Sequence, residues 1–340
     1  MPAVDPRTRE AKLAAGAIGA AGAAATALAL RRLRQERAED GTGGGPRAYR
    51  LRTEERVAFG LRRVARGRLD SAVERLRTDD LDEVEAVHDA RKDLKKLRAV
   101  LRLVRPVADE DLLRRENERY RDAARLLSGT RDAQVRAETI AALAARFPND
   151  PPPHGWSGVR EALALNDEIA GLGELRERAA AQIEGGREAL TTLGLPGSDA
   201  ELLGRGLQRT YSRGRRRLRA AAAEPTDERL HDLRKRAKDL WYHLRLLAPA
   251  CQPALDPLTA RADRLGELLG DDHDLAVLSA WLEDGHGDLD RETRSHLQRL
   301  IGQRRLEMQI ELFDCAETIY HEKPKAFARR ILGLWQSATP

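Results

Sequence analysis

The chain has 340 residues, of which 41% are hydrophobic, 4% aromatic and 34% charged, with a formal net charge of +5. A core must therefore be built from Leu, Ala and Val, a palette that suits packed helices and disfavours a β-sandwich, which draws on β-branched and aromatic residues. Two cysteines, Cys251 and Cys315, make neither a disulfide framework nor a zinc pattern, so two reduced thiols, no structural metal and no cofactor are expected.

The first segment in chain order is an uncharged Ala- and Gly-rich run over residues 13–30, close to the minimum length of a membrane span. Ala and Gly contribute little transfer energy, so a membrane anchor, a signal peptide and a soluble Ala-rich helix all stay open. Arg31, Arg32, Arg34 and Arg37 outweigh Arg7, Arg9 and Lys12. The positive-inside rule would then leave a spanning chain with its main domain in the cytoplasm. The same basic start disfavours cleavage and export. Gly41-Thr-Gly-Gly-Gly-Pro46 reads as a flexible linker, so residues 1–46 form a tail and folding begins at Arg47.

Beyond it, apolar residues recur at i, i+3, i+4 and i+7 in nearly every segment, with no convincing strand alternation, which predicts an all-α fold. The stretch Phe147-Pro-Asn-Asp-Pro-Pro-Pro-His-Gly155 breaks the helices, and Gly194-Leu-Pro-Gly-Ser198 breaks them again. Ser198-Asp-Ala-Glu201 follows as a capping box that opens a helix. The expected halves are residues 47–196 and 197–340. They read as an internal repeat. His-Asp-x-Arg-Lys-x-x-Lys stands at 88–95 and again at 231–238, and this alignment places Arg102 on Arg245. Arg62, Arg66 and Arg68 match Arg209, Arg213 and Arg215, and the stretch 126–132 matches 268–274. Three features in one order predict a duplicated helical bundle with a pseudo-two-fold relation.

On a helical wheel of about 100° per residue, His88, Arg91, Lys92, Lys95, Arg98 and Arg102 share one stripe. Ala90, Leu94, Leu97, Val100, Leu101 and Val104 lie opposite. His231, Arg234, Lys235, Lys238 and Arg245 repeat the stripe, with Tyr242 on it, and Leu233, Ala237, Leu240, Leu244 and Leu247 face the other way. Like charges at i,i+4 cost a helix about 0.3 kcal/mol each. A solvated face would intersperse acids, yet these fall mainly at helix starts: Asp79, Asp80, Asp82, Glu83 and Glu85, then Asp227 and Glu228. One copy alone would read as an ordinary solvated face. Two copies with His in the same place point to a site. A ladder about 20 Å long suits an extended, regularly charged anion, held by forked Arg and adaptable Lys. The Arg-rich segments at 62–68 and 209–219 would add a second wall.

The two ladders, the stretches 129–132 and 270–274 read as turns, and the ending Tyr320-His-Glu-Lys323-Pro324 resemble the CHAD family, named for conserved histidines in an α-helical domain. The resemblance runs from residue 49 to residue 335. It implies two four-helix bundles facing across a basic cavity, with inorganic polyphosphate as ligand and Lys323 joining the site. It further implies non-catalytic binding and, in some members, targeting to polyphosphate granules, here in the cytoplasm or tethered to a membrane facing it. Trp241 departs from the pattern, because the first copy has Arg98 there. That puts the grip of the far end of the second ladder in doubt.

Three rival readings remain beside it. Cationic grooves attract any nucleic acid non-specifically, although stacking aromatics are scarce. The ladders could dock acidic partners. The His-Asp doublets at 88–89, 231–232 and 273–274 could serve a metal-dependent phosphohydrolase, although adjacent helical residues diverge and His88 is surrounded by cations.

Overall fold

A computed structural model describes residues 48–78, 82–128, 132–164 and 172–339. In chain order the helices are α1 (Val57–Arg77), α2 (Glu83–Val104), α3 (Glu110–Leu126), α4 (Asp132–Arg146), α5 (Gly155–Ala164) and α6 (Leu172–Glu184). They continue as α7 (Arg187–Thr191), α8 (Asp199–Ala223), α9 (Asp227–Leu247), α10 (Asp256–Glu283), α11 (Arg291–Tyr320) and α12 (Pro324–Ala338). The chain is thus all-α, as its periodicity predicts. The run 13–30, the linker at 41–46, Asp79 and Asp80, and residues 129–131 lie outside the described residues. No described helix is long and apolar enough to cross a membrane.

Side-chain caps start several of the helices. The predicted capping box forms at α8: the Glu201 amide donates to Ser198 Oγ at 3.3 Å, and the Ser198 amide donates to Glu201 Oε2 at 3.0 Å. Gly197, just before it, has φ of +97°, a backbone region that side chains with a Cβ avoid. Asp82 caps α2 by accepting from the Glu85 amide, and Thr226 caps α9 by accepting from the Arg229 amide. Each satisfies an amide the helix itself cannot, worth about 1 kcal/mol.

The hairpins α1–α2 and α8–α9 carry the two copies of the sequence motif, and α2 also packs on α8 and α9. Leu94, Leu97, Leu240 and Leu244 are all 0% exposed in one continuous core, each contributing about 2 kcal/mol by burial. His243, fully buried on α9, donates from Nε2 to the Ala99 carbonyl of α2 at 2.8 Å. The segment before α1 is tied to α9 as well, through the Leu51 amide to the Leu246 carbonyl at 2.9 Å. A second cluster joins α4 and α5 to α10 and α11, with Ile140, Leu143 and Val159 against Leu278, Leu297 and Leu300. Both clusters therefore draw on helices from either side of residue 196.

One expected element is corrected. The stretch 270–274 is not a turn but lies inside the unbroken α10. Its single Gly is tolerated by a helix packed over most of its length, whereas in the first half α3 ends at Leu126 and α4 begins afresh at Asp132.

Candidate functional site

The predicted apolar faces of α2 and α9 are both buried: Ala90, Leu94, Leu97, Val100, Leu101 and Val104 in one, Leu233, Ala237, Leu240, Leu244 and Leu247 in the other, none above 2% exposure. Fixing those faces leaves the opposite stripes turned toward one cleft of about 540 Å³. His88, Lys92, Lys95, Arg98 and Arg102 line it from α2, and Arg234, Lys235, Lys238 and Tyr242 from α9. Two ladders distant in sequence thus meet in one space.

The cleft is less one-sided in charge than the sequence suggests. Eight Lys and Arg side chains line it, together with seven Asp and Glu. Asp263, Glu267, Asp271 and Asp274 come from α10, which forms the wall that sequence reasoning assigned to α1 and α8. Ladder cations lie close to acids of the chain itself. Lys92 is 3.3 Å from Asp89, Lys235 2.9 Å from Asp232 and Lys238 3.8 Å from Asp263, and Arg236, off the stripe, is 2.9 Å from Asp239. Arg102 Nε is 2.6 Å from Asp239, an ion pair by proximity without an aligned hydrogen bond. Asp89 is also paired with Arg75, and Asp232 with Arg217 at 3.2 Å. The carboxylates of the first two doublets, Asp89 and Asp232, are thereby committed to cations. Among the described residues no three His, Cys, Asp or Glu side chains converge to hold a metal.

Electrostatic strain collects where cations are drawn from water. Burial, reinforced by Arg102, pushes the Arg98 guanidinium down to about 10, and Arg98 Nε donates to Asn117 Oδ1 at 3.1 Å. Burial beside Arg236 and Arg209 likewise brings Arg213 to about 10. Both remain charged at neutral pH, and Arg98 of the two lines the cleft, where an anion would offset the cost.

Other predicted residues serve elsewhere. Arg68 is 5% exposed and donates to Asp93 at 2.8 Å, so it is a buried tie between α1 and α2 and does not face the cleft. Arg62 donates to the Leu193 carbonyl at 3.1 Å, and Arg66 is exposed. Arg91 reaches the Leu127 carbonyl at 3.0 Å, holding the end of α3. Arg209, Arg213, Arg215, Arg245 and Lys323 are not among the cleft-lining residues. His231 also lies off the lining and packs on His273 with ring centroids 4.5 Å apart. Burial and that neighbour hold its imidazole down to about 4.

Sequence reasoning missed Asp93 and Asp239, 2% and 4% exposed, which anchor Arg68 and Arg102. A signal existed for the first, since Asp93 falls about 140° from His88, within the apolar arc. A charge there requires a buried partner. The α10 acids carried no such signal, because which helix closes the cleft is a tertiary matter. Trp241 is 2% exposed and lies between two cations, Lys238 Nζ at 4.3 Å and the Arg245 guanidinium at 4.5 Å from its ring centre.

The profile described as CHAD domain matches residues 63–283. Among curated proteins none matches the sequence. Among solved structures, the chain is similar to PptA from Streptomyces chartreusis, with 16% identity and a TM-score of 0.54, over 79% of this chain and 100% of that one. At that identity the likeness speaks to the fold.

Proposed function

Because the chain belongs to the CHAD domain family, we propose that it binds inorganic polyphosphate without turning it over, in the cleft between the α2 and α9 ladders. One observation carries this reading: cationic stripes from two distant parts of the sequence line a single cleft. Arg98, Arg102 and Arg234 supply forked donors for phosphoryl oxygens, and Lys92, Lys95, Lys235 and Lys238 supply adaptable charges. The acids of α10 oppose a second strand of negative charge, which favours one thin chain over a double helix. Retention on polyphosphate granules would follow from the same binding.

Calorimetric titration with polyphosphate of defined length, against duplex DNA at equal phosphate, tests the reading. Saturable binding that DNA does not displace is expected. Displacement by DNA would make the cleft a general polyanion surface, and release of orthophosphate with a divalent metal would make the protein an enzyme.

A further inference from the structure

Lys238 crosses α10 at a glycine. A Cβ built on Gly266 would stand 2.7 Å from Lys238 Cε, 2.8 Å from Nζ and 3.0 Å from Cδ, closer than packed atoms approach. One turn on, a Cβ built on Gly270 would meet Arg234 Nη2 at 3.6 Å and Nε at 3.7 Å, an ordinary contact. The two cations stand at i and i+4 on α9, and the two glycines stand at i and i+4 on α10. The Trp241 ring centre lies 4.3 Å from Lys238 Nζ, and Asp263 lies 3.8 Å away.

Resting on the polyphosphate reading above, we infer that Gly266 is a positioning residue. Its missing side chain opens a notch in α10 through which Lys238 reaches the cleft. Glycine is among the poorest helix formers, so a glycine inside a helix of 28 residues calls for a local reason. The clash that alanine would create falls on the far end of a flexible side chain, not on backbone. Gly266→Ala therefore displaces Lys238 while leaving the fold intact.

The experiment compares the full chain with Gly266→Ala, Gly270→Ala, Lys238→Ala, the Gly266→Ala/Lys238→Ala double variant and Gly302→Ala, whose Cβ meets nothing within 4 Å. Gly266→Ala should weaken binding of defined-length polyphosphate about tenfold, the worth of one charge-assisted contact, without lowering Tm. Gly270→Ala should weaken it less, and Gly302→Ala not at all. In the Lys238→Ala background the Gly266→Ala effect should vanish. Equal or tighter binding by Gly266→Ala, or an undiminished effect in the double variant, would overturn the inference. Proton NMR of the Lys238 ε-methylene gives a readout without ligand. Its ring-current shift from Trp241 should collapse in Gly266→Ala, and a retained shift also overturns the inference. Failure of the unmodified protein to bind would instead overturn the polyphosphate reading, with the NMR shift still deciding the seat.

Discussion

Arg102, the last cation of the first ladder, lies 2.6 Å from Asp239 of α9. Asp239 is 4% exposed and also receives Arg236 at 2.9 Å. One carboxylate thus neutralises a cation from α2 and another from α9. Asp239→Asn should lower the unfolding free energy by about 3 kcal/mol, as expected when a buried pair loses one partner. Because polyphosphate would supply the missing negative charge, its addition should raise Tm more in the variant than in the unmodified protein. Urea unfolding and thermal shifts with and without ligand measure both effects; equal shifts would show that Arg102 and Arg236 do not face the ligand.

Lys95 is exposed and Lys238 lines the facing wall. Lys95→Glu and Lys238→Glu should each weaken polyphosphate binding tenfold or more, at about 1.4 kcal/mol per tenfold, with far-UV circular dichroism unchanged. Arg91 and Arg68 behave otherwise, since they tie α2 to α3 and to α1. Reversing either should cost stability before it costs binding. Unfolding midpoints alongside Kd separate the two classes.

That division shows what the sequence made legible. The start of α8 followed from Ser198, and the buried faces from the spacing of leucines; the caps at Asp82 and Thr226 are seen only in the structure. Lys92 and Lys235, from the two copies of one sequence motif, line one cleft. Which arginine reaches solvent did not follow. Arg66 and Arg68 stand two apart, yet one is exposed and the other is locked to Asp93. The acids of α10 did not follow either; they join the cleft because that helix packs beside α9.

Salt dependence should expose those acids. For a single-stranded polyanion, log K falls with log salt by roughly 0.7 per neutralised phosphate, so eight independent cations would give a slope of about −6. Lys92, Arg102, Lys235, Arg236 and Lys238 already lie within 4.0 Å of an acid, and exchanging an internal partner for phosphate releases fewer counterions. The slope should be distinctly shallower than −6, and steeper in Asp239→Asn than in the unmodified protein. Titrations across a salt series decide this; a slope near −6 would mean that the internal pairs are not kept in solution.

Acid should destabilise the protein through His243. Burial holds its imidazole down to about 4, against the ordinary 6.5 that it regains on unfolding. Between those values the unfolded chain binds more protons, so stability rises with pH through that window and is lost as pH falls from 7 toward 4. The loss should approach about 3 kcal/mol. His243→Gln can still donate to the Ala99 carbonyl but carries no proton to titrate. Its unfolding midpoint should fall less steeply over the same range; parallel curves would place the acid sensitivity elsewhere.

Trp241 breaks the charge pattern of the ladder without emptying the position. Its ring lies 4.3 Å from Lys238 Nζ and 4.5 Å from the Arg245 guanidinium, contacts worth about 1 kcal/mol each. Trp241→Arg would match the first copy, where Arg98 stands, and would add a cation to the cleft. It would also put like charges at i,i+3 and i,i+4 on α9, costing a few tenths of a kcal/mol each, and would remove a buried aromatic worth about 3 kcal/mol. The variant should therefore bind polyphosphate no more tightly than the unmodified protein and melt lower. Trp241→Phe keeps a ring face for both cations and should stay within about threefold in Kd, under 1 kcal/mol. If Trp241→Arg bound more tightly, charge count would outweigh placement at this position, and the ring would be filling space without aiming its neighbours.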